Sequence, residues 1–337
     1  MKKKILLVYT GGTIGMTYTE RGLMPEKEAF HELLNKMPEL RADSMPDWDI
    51  VDMDPLLDST NIAVNEWNNI GGVIADNYEA YDGFVILHGT DTMAYTASAL
   101  SFMLENNKKP VVLTGSQIPL CEVRNDARDN LITSMLVAAE GVVSEVCLCF
   151  GGKIIRGNRS MKQSADGLLA FDSPNYPLLA EARINISYNY PAIYEPFITG
   201  PFYLRKLETI PIGVIKVFPG IHFELFSHIM TEDLKGIVVE TFGSGNIPGN
   251  GLLPIIKKAA INGTVMIVCS QCPQGTVSLG AYETSDSLMK AGAVSGVDIT
   301  TEAAVAKLYY LFSCGYDVRT IEAMMGEDLR GEISSAE

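Results

Sequence analysis

The sequence predicts an α/β protein with a larger N-terminal domain, built on a mostly parallel, doubly wound sheet, and a smaller C-terminal α/β domain. Three observations predict this. Short apolar runs alternate with helix-like segments in the first half, a stretch rich in tyrosine and proline interrupts them, and the alternation then restarts. The 337 residues also exceed what one hydrophobic core usually supports. We therefore expect domains at 1–188 and 212–337, joined by a linker at 189–211.

The elements follow from the hydrophobic pattern. In the first domain we expect strands at 5–9, 50–53, 84–87, 111–113 and 146–150, and helices at 64–78, 92–106 and 124–139. Glycines at 151–157 indicate a hairpin turn, and the polar segment to 185 shows no long helical period. In the second domain we expect strands at 212–217, 236–239 and 265–268, and helices at 223–230, 252–261 and 301–313.

Composition narrows the functional classes. Hydrophobic residues make up 47% and charged residues 20%, which is typical of a soluble globular protein, and no apolar run approaches the roughly 18 residues of a membrane span. The net charge of −15 disfavours nucleic acid as a partner. The basic start resembles a signal peptide, but the apolar run at 5–9 is too short, so we expect a cytoplasmic protein.

The six cysteines do not form a recognisable metal pattern. Cys269 and Cys272 have CxxC spacing, but a zinc ribbon would need a second pair of this kind. Cys147 and Cys149 alternate along a predicted strand, as core residues do. Buried free thiols in a reducing compartment are the favoured interpretation, and we expect no metal site.

The chemistry begins where the strand at 5–9 ends in Thr10-Gly11-Gly12-Thr13. Glycines let the backbone turn sharply and let another group approach it closely. Thr13 then follows the carboxyl end of a strand, which is where ligands bind in open α/β sheets. Its hydroxyl is a candidate nucleophile.

Three further strand ends carry small hydroxyls, acids or amides. The second, His88-Gly89-Thr90-Asp91, could by itself be a well-capped strand–turn–helix. Strands of one sheet bring such ends to one edge, so together they indicate a small polar substrate held by many hydrogen bonds. The two remaining ends contribute Asp58, Ser59 and Thr60, and Thr114-Gly115-Ser116-Gln117.

A threonine nucleophile needs a base, because its hydroxyl is a very weak acid. The four histidines are His31, His88, His222 and His228. His88 follows a strand directly, and a buried, hydrogen-bonded role is favoured for it over catalysis. Lysine is the other base that burial can tune, and Lys162 lies in the irregular polar segment, where a plain surface position is the competing interpretation.

Four motifs together resemble the bacterial L-asparaginase family, and its cytoplasmic type I branch in particular. They are Thr10-Gly11-Gly12-Thr13-Ile14-Gly15, His88-Gly89-Thr90-Asp91-Thr92-Met93, Arg156-Gly157-Asn158-Arg159 followed by Lys162, and Gly243-Ser244-Gly245-Asn246-Ile247-Pro248. The likeness covers nearly the whole chain. It implies hydrolysis of L-asparagine to L-aspartate and ammonia through a β-aspartyl-threonine intermediate, with no metal or cofactor.

The resemblance also assigns residues. Thr13 matches the primary nucleophile, whereas Thr90, Asp91 and Lys162 match a second polar cluster that activates the attack and orients the substrate. Backbone amides near the glycine turns can stabilise the developing oxyanion. One methylene is worth only about 1–3 kcal/mol of discrimination, which leaves room for a minor glutaminase activity. The expected binding residues are Asp58, Ser59 and Thr60 on the substrate loop, with Gly12 and Gly89 at the turns.

Three further expectations concern features around this centre. In the family the loop that matches Asn246 completes a neighbouring subunit's pocket, which implies an obligate homodimer that assembles into a homotetramer. The lid tyrosine of the secreted branch is replaced here by Leu23, so Tyr18 or a partner-subunit residue such as Tyr282 would assist Thr13.

The third expectation concerns regulation. Some type I members bind asparagine at a separate effector site that contains an arginine and a threonine. Glu240 and Met161 stand at the matching positions here, and Glu240 would repel the effector's carboxylate. We therefore expect hyperbolic kinetics.

Other functions fit the sequence less well. Gly11, Gly12 and Gly15 do not have the GxGxxG spacing of a dinucleotide site. An archaeal tRNA-dependent amidotransferase has a chain that resembles asparaginases but carries an extra domain before this first motif, which here starts at residue 10. An amino-acid-binding module on the same fold would not need two threonines, an acid and a lysine together.

Overall fold

A computed structural model describes residues 2–20, 22–196, 198–248, 252–280 and 283–334. The chain forms two compact units. The larger comprises Met1–Ser173 and Pro177–Lys206, and the smaller comprises Pro174–Tyr176 and Leu207–Glu337. The domain limits expected from the sequence, at 188 and 212 with a linker between them, stay a prediction.

The larger unit contains a long run of strands with four α-helices described among them. The strands are β1 (Lys4–Gly11), β2 (Met16–Thr19), β3 (Gly22–Pro25), β4 (Asp47–Leu57), β5 (Gly83–Leu87), β6 (Leu104–Glu105), β7 (Val111–Thr114), β8 (Val146–Phe150), β9 (Lys153–Arg156), β10 (Met161–Lys162), β11 (Phe171–Asp172), β12 (Ala180–Ala182), β13 (Ile186–Tyr188) and β14 (Tyr203–Leu204). The helices are α1 (Lys27–Lys36), α2 (Val64–Asp76), α3 (Met93–Met103) and α4 (Ala127–Glu140).

Eight of these strands form the main sheet, in the order β13-β12-β9-β8-β7-β5-β1-β4. The five strands from β8 to β4 are parallel to one another, whereas β9 pairs antiparallel with β8 and the pairs β9–β12 and β12–β13 are also antiparallel. Strand β1 is buried from Ile5 to Gly11, as expected for a parallel strand covered on both faces. The predicted mostly parallel sheet is confirmed, and β8 turns into β9 through Gly151 and Gly152, both with positive φ.

Four of the six predicted helices differ from the observed elements. The helix expected at 64–78 ends at Asp76, and the helix expected at 92–106 is Met93–Met103, followed by strand β6. Helix α4 begins at residue 127 rather than 124, because the Asn125 side chain accepts a hydrogen bond from the Arg128 amide and so ends the preceding turn. Residues Phe223–His228 form a 3₁₀ helix instead of an α-helix over 223–230. Phe223 and Phe226 both pack on the core of the smaller unit, and a spacing of three suits the 3₁₀ repeat.

The smaller unit is built on a four-stranded parallel sheet in the order β15-β16-β17-β18. The strands are β15 (Ile212–Lys216), β16 (Gly236–Thr241), β17 (Val265–Ser270) and β18 (Val294–Ser295). The helices are α5 (Leu252–Ile261), α6 (Glu283–Lys290), α7 (Thr301–Ser313) and α8 (Val318–Met325). Thr300 caps α7 by accepting the Ala303 amide. Across the described ranges, no helix combines the length and apolarity needed to cross a bilayer.

Candidate active site

Four neighbouring parallel strands of the larger unit end in the polar segments that the sequence singled out. Strand β1 leads into Thr13, β4 into Asp58, β5 into Thr90 and β7 into Gln117. Because β4, β1, β5 and β7 are adjacent and parallel, their carboxyl ends share one edge of the sheet. The fold therefore brings these segments together.

Glycines allow two of these turns to touch. A Cβ on Gly12, whose φ is +79°, would lie 2.4 Å from the backbone nitrogen of Gly89. A Cβ on Gly89 would lie 2.6 Å from the Ser59 hydroxyl. Real side chains do not approach so closely, so these positions need glycine for contact rather than for flexibility alone. The Thr13 turn, the Thr90 turn and the Ser59 loop are thus in direct contact.

A lysine joins the two polar residues of the Thr90 turn. The Lys162 Nζ donates to Thr90 Oγ1 at 2.9 Å and to Asp91 Oδ1 at 2.6 Å. Thr90 is buried, whereas the Asp91 side chain is about half exposed. One ammonium group therefore binds a buried hydroxyl and a solvent-facing carboxylate. The arrangement can stabilise negative charge beside Thr90 and leaves Asp91 open to a cation.

Buried polar residues hold the segment that precedes Lys162. Arg156 donates from Nε to Glu145 at 2.7 Å and from Nη2 to the Ala192 carbonyl at 2.8 Å. Glu145 also accepts the Tyr194 amide at 2.7 Å. Arg159, three residues before Lys162, is 2% exposed. The basic part of this motif is therefore structural, and it fixes the backbone that presents Lys162.

The loop after β4 is tied to the Thr90 turn. Asp58 accepts the Thr60 amide at 3.0 Å and the Thr60 hydroxyl at 3.1 Å, which closes a 3₁₀ turn at Ser59. The Ser59 hydroxyl accepts the Asp91 amide at 3.3 Å, and the Ser59 carbonyl accepts the Thr92 hydroxyl at 2.7 Å. Ser59 thus has a fixed place beside Asp91, and the predicted substrate loop lies against the predicted cluster of Thr90, Asp91 and Lys162.

His88 is fully buried and its ring is fully hydrogen-bonded. Its Nδ1 lies 2.6 Å from the Gly89 carbonyl, which can only accept, so Nδ1 carries the proton. Its Nε2 then accepts the Thr96 hydroxyl at 2.9 Å, and Thr96 in turn accepts from Trp67 at 3.1 Å. Burial lowers the pKa of His88 from 6.5 to about 4. The interpretation of His88 as a buried, hydrogen-bonded residue is confirmed.

A short hairpin, β2–β3, follows the Thr13 turn. Tyr18 and Leu23 are cross-strand partners in this hairpin, which places both side chains on one face. The exposed Tyr18 hydroxyl donates to Glu122 at 2.6 Å, and this bond raises the pKa of Tyr18. Of the two tyrosines considered as helpers of Thr13, Tyr282 lies outside the described residues.

The sequence placed Gln117 at a strand end, but it did not reveal that Asp126 and Asn130 organise the turn after β7. Gln117 accepts the Thr90 hydroxyl at 3.2 Å, and Asp126 accepts the Gln117 amide at 3.0 Å. The Asn130 side chain donates to the Gly115 carbonyl at 2.9 Å. The position of Gln117 after a strand was a visible signal, but the pattern does not reveal which way a side-chain amide points.

Asn246 and Glu240 lie in the smaller unit, whereas Met161 lies in β10 of the larger unit. Asn246 closes a tight turn, in which its backbone and that of Phe242 exchange two hydrogen bonds of 2.9 Å. Glu240 accepts the Thr301 hydroxyl at 2.7 Å and lies 3.5 Å from the Lys216 ammonium. Its carboxylate is thus already held by groups of its own unit.

Family models cover both units. The Asparaginase, N-terminal family matches residues 4–194, and the Glutaminase/Asparaginase C-terminal domain family matches residues 211–325. This chain belongs to the asparaginase family. Its fold matches that of asparaginase structures. Both have a larger domain with a mostly parallel sheet and a smaller domain with a parallel sheet and helices.

Individual relatives agree with the family assignment. The chain is 44% identical to L-asparaginase 1 of Escherichia coli K12, over 99% of this chain and 98% of that protein. The crystal structure of L-asparaginase I from Vibrio cholerae matches with a TM-score of 0.92 and 43% identity, over 99% of this chain and 100% of that one. The solved structure of the thermostable L-asparaginase from Thermococcus kodakarensis matches with a TM-score of 0.87 and 33% identity, over 99% of this chain and 100% of that one.

Proposed function

We propose that this asparaginase-family protein hydrolyses L-asparagine to L-aspartate and ammonia. The observation that carries the proposal is the Lys162 ammonium bound to both Thr90 and Asp91, on a turn that touches the Thr13 turn through Gly12. Two relatives at 43–44% identity over almost the full chain are L-asparaginases, which supports the same reaction.

Thr13 is the proposed nucleophile. Its Oγ attacks the side-chain amide carbon of asparagine, and the carbonyl oxygen takes up the negative charge. Backbone amides of the turns at Gly12 and Gly89 are the proposed donors to that oxygen, and loss of one such donor typically costs about 3 kcal/mol. The proton lost by the Thr13 hydroxyl ends on the leaving nitrogen, the C–N bond breaks and ammonia departs. Water then hydrolyses the β-aspartyl ester to L-aspartate and restores the Thr13 hydroxyl.

Thr90, Lys162 and Asp91 are proposed to act as one cluster. Lys162 is hydrogen-bonded to Thr90, so it can stabilise negative charge that develops on the Thr90 oxygen. Asp91 is exposed enough to meet the α-ammonium group of the substrate while it stays paired with Lys162. The cluster thereby activates the attack and orients the substrate.

Asp58, Ser59 and Thr60 are the proposed binding groups for the α-amino and α-carboxylate ends of asparagine. Their contacts with the Thr90 turn support this, since they fix one end of the substrate relative to the reacting centre. A longer substrate such as glutamine would displace its amide carbon by one methylene. We expect a minor glutaminase activity at most.

Tyr18 is the proposed helper of Thr13. It lies on the hairpin that follows Thr13, on the same face as Leu23, and it has a carboxylate partner in Glu122. This hairpin is the proposed lid of the site. Tyr282 of a partner subunit remains the alternative.

Assembly, location and regulation complete the proposal. Asn246 is proposed to complete the pocket of a neighbouring subunit, in a cytoplasmic homodimer that assembles into a homotetramer; an active monomer in light scattering would contradict this. With Glu240 and Met161 at the effector positions, asparagine is expected to give hyperbolic kinetics. A sigmoidal rate curve would show a regulatory site of another kind.

The decisive experiment is ammonia release from asparagine and glutamine. Thr13→Ala is expected to lower kcat by at least about 10³-fold, and Thr90→Val or Lys162→Met by about 10²–10³-fold. Lys153→Met is the matched control, because Lys153 makes a similar ion pair with Asp172 at 2.9 Å but is not proposed to act in catalysis. A wild-type protein without asparaginase activity would refute the function, and near-normal rates in Thr13→Ala would refute the nucleophile.

A further inference from the structure

The Gln117 side chain lies between Thr90 and the loop that follows Lys162. Gln117 Oε1 accepts the Thr90 hydroxyl, and Gln117 Nε2 donates to the Ala165 carbonyl at 3.1 Å and the Gly167 carbonyl at 3.2 Å. Backbone carbonyls only accept hydrogen bonds, so Nε2 must face them. The two carbonyls therefore fix the orientation of the amide and turn its oxygen towards Thr90.

This orientation also fixes the Thr90 hydroxyl. Lys162 donates to one lone pair of Thr90 Oγ1, and the hydroxyl proton points at Gln117. A hydroxyl has one proton and two lone pairs, so a single lone pair of Thr90 is left to face another group. Without Gln117, Lys162 would still donate to Thr90 Oγ1, but the hydroxyl proton would lose the acceptor that sets its direction.

We propose that Gln117 is a positioning residue for this reaction: it sets the direction of the Thr90 hydroxyl and holds the Lys162 loop against it. The inference rests on the proposed function, in which Thr90 and Lys162 act together. Gln117 acts through these two residues and is assigned no contact with the substrate.

The backbone around Gln117 is itself rigidly held. Asp126 accepts the amides of Gln117 and Ile118, at 3.0 Å and 2.9 Å. Asn130 donates to Asp126 at 3.2 Å and to Gly115 at 2.9 Å. The N-terminal end of α4 thus anchors the turn on both sides of Gln117, so the backbone that carries the Gln117 side chain is held in place.

The loop that Gln117 contacts is closed on itself. Strands β10 and β11 form a hairpin, and the Gln163 and Ser164 amides at its base both donate to the Ala170 carbonyl. The Gly167 amide donates to the Ser164 hydroxyl at 2.9 Å. Since β10 ends at Lys162, a contact on this loop restrains the lysine directly.

Three variants test the proposal. Gln117→Met keeps the length of the side chain and removes every hydrogen bond. Gln117→Glu keeps an acceptor for Thr90 and removes the donors to the loop. The matched control is Gln271→Met in the smaller unit, because Gln271 also donates from Nε2 to two carbonyls, those of Val217 and Glu240.

Each variant is measured for kcat, KM and Tm with asparagine. Gln117→Met is expected to lower kcat about tenfold or more with KM changed less than about threefold, because it removes the hydrogen bond that sets the direction of the Thr90 hydroxyl and the contacts that hold the Lys162 loop. Gln117→Glu is expected to keep a kcat clearly above that of Gln117→Met. Gln271→Met is expected to leave kcat unchanged.

A kcat within twofold of wild type in folded Gln117→Met would overturn the proposal, and so would a loss confined to KM. Equal kcat in Gln117→Met and Gln117→Glu would overturn the role of the acceptor oxygen. If Gln117→Met does not fold, Gln117→Asn is measured instead, since it stays polar but is one methylene too short, and the same tenfold loss is expected. The wild type and Thr90→Val separate this proposal from the proposed function. If the wild type is active and Thr90→Val is impaired, the proposed function holds, and a normal Gln117→Met then contradicts only the role of Gln117.

Discussion

The contact between Gly89 and Ser59 offers a direct test of how the site is held together. Gly89 has no positive φ, so alanine at this position meets no backbone strain. Its new Cβ would lie 2.6 Å from Ser59 Oγ and 2.7 Å from Ser59 Cβ. The Gly89→Ala substitution therefore pushes the substrate loop away from the Thr90 turn and does little else.

The size of the displacement follows from these distances. Ordinary contacts of a Cβ begin at 3.4 Å, and rotation of the Ser59 hydroxyl does not move Ser59 Cβ from its 2.7 Å contact, so Ser59 must retreat by about 0.7 Å. A misplacement of about 1 Å costs up to about 10²-fold in rate, which is about 2.7 kcal/mol. We expect kcat/KM for asparagine to fall by about 10²-fold while the larger unit stays folded.

Gly72→Ala is the matched control. Gly72 also lacks a positive φ, lies in α2, and has no atom within 4 Å of its ideal Cβ position. The same substitution there is expected to leave kcat/KM unchanged and to raise stability by about 0.5–1 kcal/mol, since alanine favours a helix. Ammonia release and thermal unfolding measure both effects. A kcat/KM for Gly89→Ala within threefold of that for Gly72→Ala would refute the reasoning.

Three other predictions concern separate parts of the chain. Lys307 and Glu332 form a fully buried ion pair, with 2.6 Å between Nζ and Oε1. Lys307→Met leaves the Glu332 carboxylate without its partner, so the free energy of unfolding measured in urea is expected to fall by about 3–5 kcal/mol. The double variant with Glu332→Gln leaves no unpaired charge and is expected to lose less. The pKa of His88 is about 4 when folded and 6.5 when unfolded, so the unfolded chain binds its proton first as the pH falls from 6.5 to 4. Stability should fall by up to about 3 kcal/mol in that window, and a His88→Asn variant with an equally steep loss would contradict this. Tyr18→Phe should lower kcat for asparagine while Tyr190→Phe, also exposed, should not; equal rates would favour Tyr282.

The parallel strands could be predicted because burial on both faces leaves a clear signal. Strand β1 is apolar from Ile5 to Tyr9, and the glycines that follow mark a turn that other backbone must approach. The positions of Thr13 and Thr90 after their strands follow from that pattern alone. The contact between Gly12 and Gly89 could not be predicted in this way, because it depends on the order of the strands in the sheet. Hydrophobic periodicity gives no information on that order.

Lys162 and Gln117 show where sequence reasoning ends. Lys162 reaches Thr90 because the buried Arg156 and Glu145 hold the preceding segment, and these two residues are separated by a hairpin. Nothing in the local pattern around Lys162 distinguishes it from a surface lysine. Gln117 has its role because two backbone carbonyls of a distant loop turn its amide, and carbonyl directions are a property of the folded chain.

The supports of the Thr90 turn have one physical property in common. His88 and Gln117 both hold it with neutral groups whose orientation is set by backbone carbonyls. With a pKa of about 4, His88 stays neutral throughout the range in which most enzymes work. Both ring nitrogens of His88 are bonded to Gly89 and Thr96, so these hydrogen bonds need not change when a proton moves at Lys162 or Thr90. A protonated His88 would be a buried, unpaired charge, which is a physical reason for this imidazole to stay neutral and not to act as the base of Thr90.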